Sequence, residues 1–201
     1  MDAVDQRHIF VKPLSTILGE YNSSALEKML LAFSCAKDED VQRFLQKEAV
    51  KHEVTGKART YIYFNYKGEI IGYFALAIKS IAVTEKLLEK YRHELGLDVP
   101  NCKYIKPYIP AYLLALVGKD DGKFSKDIYG QSFLDMVMPE VRRHIKTARE
   151  HVGGQVLYLD CAKVLIDYYG KKGFEYFQEN PDDAPKCKEE DKLFQMWQLL
   201  S

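Results

Sequence analysis

Two residues with reactive side chains come directly after a short apolar segment in the last third of the chain. Asp160 and Cys161 follow the segment VLYL at residues 156–159. A carboxylate at this place can accept a proton during catalysis, and it can equally cap a helix that follows the segment. A thiol can act as a nucleophile, but no Cys–His arrangement is visible, so a buried structural thiol is the favoured interpretation of Cys161.

A polar loop with lysines precedes a long helical pattern. Residues 122–130 read GKFSKDIYG, and apolar residues follow at helical spacing. The first turn of a helix presents unpaired N–H groups and the positive end of the helix dipole, which together favour an anion. Lys123, Ser125 and Lys126 could add donors, whereas Asp127 would oppose an anion if it pointed inward. An ordinary solvated loop explains the same residues, so both interpretations stay open.

The histidines and cysteines do not form a metal-binding pattern. The five histidines show no ligand spacing, and His144 and His151, two turns apart on one expected helix, have no cysteine or carboxylate cluster beside them. The four cysteines are far apart and include no Cys-x-x-Cys pair. We therefore expect no metal site, and free thiols of the kind found in a reducing cytoplasm.

Length and composition indicate one globular domain over residues 1–201, with 47% apolar and 29% charged residues. The 29 Lys and Arg residues balance the 29 Asp and Glu residues, so net charge favours neither nucleic acid nor a membrane. No apolar run approaches the roughly 20 residues that span a bilayer, and the N-terminus lacks the basic and then apolar pattern of a secretory signal. We expect a cytoplasmic protein without a membrane interaction.

The first half of the sequence predicts a strand, two helices and a hairpin. The strand is expected at residues 8–14, and one helix then begins at Asn22–Ser24, where Ser24 and Glu27 fit a capping box. The second helix begins at Asp38 or Asp40. Residues 60–66 and 70–78 are strand-like, and Lys67-Gly68 between them suits a tight turn.

The second half predicts strands and helices in alternation. An insertion at about residues 80–110 carries an amphipathic helix over 84–95 and three prolines. There follow a buried strand at 111–117, a long helix over 130–152, strands at 156–159, 174–177 and 193–200, and a helix over 163–171. Pro139 is expected to kink the long helix or divide it. The order predicts an α/β fold with a mixed, mostly antiparallel sheet, one central parallel pair and flanking helices.

This order of elements, together with the segment YYGKKGF at residues 168–174, resembles the GNAT superfamily of acetyltransferases. In that family a strand–loop–helix unit holds the pyrophosphate of coenzyme A, and a later Tyr-x-x-x-Gly-Phe segment places a tyrosine near the thioester sulfur. The hairpin with IIGY at residues 70–73 agrees as well, and the resemblance covers essentially the whole chain. It is closest to a bacterial and phage branch near the GNAT-type toxins, through the segment LIDYY at residues 165–169.

The resemblance implies an N-acetyltransferase that moves the acetyl group of acetyl-CoA onto an amine by direct attack. It implies that Tyr169 is the general acid that protonates the departing thiolate, which the ordinary pKa values of about 8.5 for a thiol and about 10 for tyrosine permit. Asp160 is the nearest candidate in the sequence for accepting the proton of the amine. Tyr169 could instead be one more core aromatic, and Asp160 could instead cap the next helix.

For the cofactor, the resemblance implies that the end of the strand at 111–117 pairs with the pantetheine arm and donates to the oxyanion, while the following loop binds the pyrophosphate. The loop departs from the glycine-rich form of the family, Arg/Gln-x-x-Gly-x-Gly/Ala, since only Gly130 keeps the final glycine. The residues expected at acetyl-CoA are Leu116, Val117, Gly118, Lys123, Ser125, Lys126, Ile128, Tyr129, Gly130 and Gln131.

The acceptor and the partners stay open at this level. The resemblance allows small amines, protein N-termini or lysines, and the aminoacyl end of charged tRNA. The basic residues of the insertion would suit tRNA, although a solvated amphipathic helix explains them better. They are Lys79, Lys86, Lys90, Arg92, Lys103 and Lys106. A toxin would have an antitoxin partner, and an exposed terminal strand could support a homodimer. The atypical loop also motivates a different class of function, a binding module that keeps the fold without catalysis.

Overall fold

The computed structural model describes residues 9–84, 89–95, 108–124, 130–180 and 192–200. Within these ranges lie the strands β1 (Phe10–Pro13), β2 (Arg59–Phe64), β3 (Ile70–Ala82), β4 (Tyr108–Lys119), β5 (Val156–Ala162), β6 (Glu175–Glu179) and β7 (Leu193–Leu199). The helices are α1 (Leu14–Glu20), α2 (Ser23–Leu31), α3 (Glu39–Arg43), α4 (Ala49–Val54), α5 (Phe133–Val152) and α6 (Ile166–Gly170). A π-helical turn, Phe44–Glu48, joins α3 to α4, and a 3₁₀ turn, Lys163–Leu165, precedes α6.

The strands form one sheet in the order β1-β2-β3-β4-β5-β7-β6. β4 and β5 run parallel, as strands joined by a crossover helix do, and here that helix is α5. The pairs β1–β2, β2–β3, β5–β7 and β6–β7 are antiparallel. The predicted mixed, mostly antiparallel sheet with one parallel pair and flanking helices is therefore confirmed.

The chain divides into two compact units. The first comprises Met1–Ala77 and Leu114–Ala148, and the second comprises Ile78–Leu113 and Arg149–Ser201. The predicted single domain over residues 1–201 stays a prediction. The helix expected over residues 84–95 lies partly outside the described residues. Within the part that is described, residues 89–91 are helical.

Tyr73 lies at the centre of the hydrophobic core of the first unit. Its hydroxyl donates to the Val41 carbonyl oxygen at 2.6 Å, and its ring packs against Phe33 and Phe44 with ring centroids 5.5 and 6.0 Å apart. Burial raises the pKa of the Tyr73 hydroxyl. Aliphatic side chains of α1, α2, the π-helical turn and β2 complete this core, among them Leu14, Ile17, Leu30, Leu45 and Ile62.

The helix starts follow the capping residues in the sequence. The Asp38 carboxylate accepts from the Val41 N–H at 3.0 Å, which confirms the predicted start of the second helix. The Asn22 side chain accepts from the Ala25 N–H at 2.9 Å, so the predicted capping box at Ser24 is wrong, because Ser24 already lies inside α2. The sequence analysis missed α1, which has only seven residues and offers too little periodicity.

The long helix α5 is continuous through Pro139, so its predicted division into two helices is wrong. A proline inside a helix removes one backbone hydrogen bond. The apolar stripe of α5 offsets this loss, because Leu134, Val137, Val141 and Ile145 are all buried. A kink at Pro139 stays a prediction.

Gly118 leaves no space for a side chain. A Cβ atom there would overlap Cγ1 of Val41 and lie 2.8 Å from Cε1 of Tyr73. We expect Gly118→Ala to lower the free energy of unfolding by about 1–3 kcal/mol, measured by urea denaturation. The control is Gly19→Ala in α1, where nothing lies within 4 Å of the added Cβ, and which should be neutral or stabilising. Equal stabilities of the two variants would show that β4 does not pack as described.

Candidate functional site

Tyr169 lies on α6, directly after β5 and the 3₁₀ turn. Its ring contacts those of Tyr168 and Phe174 edge-on, with centroids 5.4 and 6.0 Å apart. The Tyr169 carbonyl oxygen accepts from the Phe174 N–H at 3.2 Å, which ties α6 to the residue before β6. Among the residues that the structure describes, none forms a hydrogen bond with the Tyr169 hydroxyl. The phenol is therefore held through its ring, and its proton is not engaged by these residues.

The surroundings of Tyr169 keep its phenol protonated. Burial raises the pKa of Tyr169 to about 12, with smaller contributions from Cys161 and Tyr168. Burial also raises the pKa of the Cys161 thiol to about 11, with a smaller contribution from Asp160. Tyr169 therefore holds its proton at neutral pH.

Asp160 lies within β5 and is engaged across the sheet. Its Oδ1 accepts from Gln195 Nε2 at 3.1 Å and from Asn180 Nδ2 at 3.2 Å. The N-cap of the following 3₁₀ turn is Ala162, so the interpretation of Asp160 as a helix cap is wrong. Gln195 and Asn180 were not predicted as partners of Asp160, because only the pairing of β5, β7 and β6 brings them to it.

The predicted pantetheine-binding residues lie at the end of β4 in the first unit. Leu116 packs against the hydrophobic core, Val117 is half-buried, and Gly118 is buried. In the parallel pair, the register joins Ala111–Leu113 of β4 with Val156–Tyr158 of β5. β4 itself continues for six more residues, to Lys119.

Asp120, at the end of β4, organises the start of the predicted pyrophosphate loop. Its side chain is almost fully buried and accepts from the N–H groups of Ser34, Gly122 and Lys123, each at 3.0 Å. The Lys123 ammonium lies 3.0 Å from Asp120 Oδ2 and also donates to the Ala32 carbonyl oxygen at 3.0 Å. Lys123 is thus held by protein groups. The sequence analysis missed Asp120, although an aspartate two residues before a glycine is typical of an Asx turn.

The start of α5 is capped by its own side chains. The Asp135 carboxylate accepts from the Ser132 N–H at 3.1 Å and from the Ser132 hydroxyl at 2.7 Å. The Asp135 N–H in turn donates to the Ser132 carbonyl oxygen at 3.0 Å. An anion at this helix start would therefore meet a carboxylate that is already in place.

The other predicted loop residues are described only in part. Gly130 has a φ of 72° and is exposed, as is Gln131. Ser125, Lys126, Ile128 and Tyr129 lie outside the described residues. The assignment of residues 123–131 to the cofactor stays a prediction.

The insertion contacts β6 and β7 within the second unit. The Tyr91 hydroxyl donates to Glu175 Oε2 at 2.9 Å, and the Tyr91 ring lies edge-on to Trp197 with centroids 4.6 Å apart. Lys90 places its ammonium 4.5 Å from the centroid of the Tyr91 ring. Of the basic residues predicted to suit tRNA, Lys86, Lys103 and Lys106 lie outside the described residues.

Neither a membrane-spanning helix nor a metal-binding cluster occurs in the described part of the chain. No helix there is long and apolar enough to cross a bilayer. The same residues include no group of three His, Cys, Asp or Glu side chains arranged to hold a metal ion.

The likeness to known proteins is one of structure. No protein-family model matches the sequence, and a comparison with curated proteins gives no match either. A bacterial toxin matches with a TM-score of 0.64 and 13% identity, over 95% of this chain and 90% of the other. The protein AtaT in complex with acetyl-methionyl-tRNAfMet matches with a TM-score of 0.60 and 19% identity, over 92% and 93% of the two chains.

A third match is a tyrosine-to-phenylalanine mutant of the toxin AtaT, bound to the C-terminus of the antitoxin AtaR and to acetyl-CoA. Its TM-score is 0.59 and its identity 14%, over 96% of this chain and 93% of the other. This chain has a GNAT-like fold. The resemblance to the GNAT-type toxins that the sequence indicated is thereby confirmed at the level of the fold.

Proposed function

We propose that the protein is an N-acetyltransferase that moves the acetyl group of acetyl-CoA onto an amine. The observation that carries this proposal is the half-buried, protonated Tyr169 on the helix after β5. It occurs in a fold that the chain shares, over more than nine tenths of its length, with AtaT, a protein whose structures contain acetyl-CoA and acetyl-methionyl-tRNAfMet.

The proposed reaction is a direct attack. The neutral amine bonds to the carbonyl carbon of the thioester, and the resulting oxyanion needs a preorganised donor. Backbone N–H groups of β4 near Leu116 to Gly118 are assigned to that role and to pairing with the pantetheine arm. When the carbon–sulfur bond breaks, the thiolate takes the proton of Tyr169, and Asp160 receives the proton of the amine.

The proposed pyrophosphate site comprises Lys123, Gly130, Gln131 and the four loop residues between them that the sequence analysis named. In this assignment Lys123 exchanges its contact with the Ala32 carbonyl oxygen for a phosphate oxygen, while Asp120 keeps the loop in place. The negative charge of Asp135 repels a phosphate at the helix start. In this proposal the attraction for the pyrophosphate therefore comes from the lysines of the loop.

The acceptor that we favour is the amino group of an aminoacyl-tRNA. The specific observation is the likeness to AtaT in complex with acetyl-methionyl-tRNAfMet. A toxin role, with an antitoxin as its partner, belongs to the same proposal, as do a cytoplasmic location and a homodimer. A binding module without catalysis is the competing function, and the capped start of α5 favours it.

An acceptor panel separates these functions. Purified protein is incubated with radiolabelled acetyl-CoA and with methionyl-tRNAfMet, other aminoacyl-tRNAs, a peptide with a free N-terminus, or polyamines. We expect label in the aminoacyl-tRNA fraction, and none when the tRNA is uncharged. Label in a small amine or peptide alone would retain the enzyme and reject the tRNA acceptor, and no label with any acceptor would favour the binding module.

A further inference from the structure

A row of polar side chains crosses the three strands β5, β7 and β6. In register, Asp160 on β5 lies opposite Gln195 on β7, and Gln195 lies opposite Gln178 on β6. Gln195 Nε2 donates to Asp160 Oδ1 at 3.1 Å, and Gln195 Oε1 accepts from Gln178 Nε2 at 2.8 Å. Gln178 Nε2 also donates to the Ala82 carbonyl oxygen at 3.0 Å. We call Gln178 and Gln195 the amide row.

The amide row fixes the orientation of both amides. Gln178 donates to the Ala82 carbonyl oxygen and to Gln195, so the Gln195 amide turns its nitrogen toward Asp160. Gln195 is only 5% exposed, and a buried amide stabilises a fold little more than an apolar side chain of similar shape. The specific effect of the row is to hold the Asp160 carboxylate, to which Asn180 adds a second donor at 3.2 Å.

Asp160 and Cys161 point to opposite faces of β5, because they are consecutive residues of a regularly paired strand. Asp160 therefore lies on the face of β5 that carries the amide row, away from the Cys161 side chain.

We propose that Asp160 takes the proton of the attacking amine, and that Gln195 and Asn180 are positioning residues that hold its carboxylate for this step. The inference rests on the proposed acetyl transfer. The amine nitrogen bonds to the carbonyl carbon and gives its proton to Asp160, while the carbon–sulfur bond breaks and the sulfur takes the proton of Tyr169. The products are the N-acetylated amine and the free thiol of CoA, and proton exchange with water restores both side chains.

Two neutral amides, those of Gln195 and Asn180, donate to the Asp160 carboxylate. Glu179 ends β6, and Lys192 directly precedes β7. Their charged atoms lie 3.8 Å apart, so the two opposite charges offset each other. Cys161 stays protonated at neutral pH because burial raises its pKa to about 11.

The test compares Asp160→Asn, Gln195→Met and the double variant, with acetyl-CoA and the fastest acceptor of the panel above. We expect Asp160→Asn to lower kcat about 100-fold. Gln195→Met should lower kcat about 10-fold with an unchanged KM for acetyl-CoA, and should cause no further loss in the Asp160→Asn background. The matched control is Gln198→Met on the same strand, which should keep kcat.

An Asp160→Asn variant with normal kcat, or losses that multiply in the double variant, would overturn the inference while leaving the transferase proposal intact. A wild-type protein that binds no acetyl-CoA in calorimetry would instead overturn the proposed function and this inference with it. If Gln195→Met does not fold, Asn180→Ala removes the other donor to Asp160, and the same kcat loss and the same non-additivity are expected of it.

Discussion

Tyr169→Phe is expected to lower kcat for acetyl transfer by about 100- to 10,000-fold, the range for loss of a general acid. Acetyl-CoA affinity and stability should change little, because the phenylalanine ring keeps the edge contacts with Tyr168 and Phe174. The hydroxyl that is lost has no hydrogen-bond partner among the described residues. The measurements are steady-state kinetics, calorimetry with acetyl-CoA, and urea denaturation of the same preparations.

The matched control is Tyr168→Phe, the same change one residue earlier on α6, at a partly exposed side chain. It should keep kcat within about twofold, since small surface changes have small effects. Since the pKa of Tyr169 is raised to about 12, the wild-type rate should not fall through ionisation of this phenol until the pH exceeds about 10. Normal turnover by Tyr169→Phe would show that another group protonates the thiolate.

Asp120→Ala is expected to destabilise the protein by about 3–5 kcal/mol, because it leaves the buried partners of a carboxylate unpaired. Asp120 is 2% exposed and accepts from three backbone N–H groups and from the Lys123 ammonium. Gly122 and Lys123 would lose the anchor that shapes the start of the loop. Urea denaturation measures the loss, and calorimetry with acetyl-CoA shows whether the loop still binds.

Asp121→Ala is the control for Asp120→Ala. Asp121 forms a 3.2 Å ion pair with Lys119 at a partly exposed position, and such pairs contribute about 0–1 kcal/mol. A similar small loss in both variants would mean that Asp120 does not anchor the loop.

The sequence predicted the elements whose periodicity was long or whose turn chemistry was distinctive. Lys67-Gly68 correctly marked the hairpin, and Gly68 has the positive φ of 76° that such a turn uses. The apolar stripe of α5 and the final strand were also predicted correctly. α1 was missed because seven residues give a weak periodic pattern. The predicted division of the long helix at Pro139 was wrong because packing outweighs one lost hydrogen bond.

Only the part of the candidate site that stands in a local sequence motif could be predicted. Tyr169 stands in a recognisable segment, and the structure gives its burial and its raised pKa. Asp160 was named from its place after an apolar segment, but its partner Gln195 comes from β7 and its partner Asn180 follows β6 directly. Residue types alone do not determine side-chain geometry. They therefore could not predict that Ser132 and Asp135 cap α5, or that Asp120 forms an ion pair with Lys123.

Calorimetric titration of the purified protein with acetyl-CoA tests the central claim most directly, with CoA and desulfo-CoA as comparisons. The account predicts one saturable site with a micromolar Kd, and weaker binding when Lys123 is changed to alanine. No heat of binding at millimolar acetyl-CoA would contradict it, and would favour a binding module without catalysis.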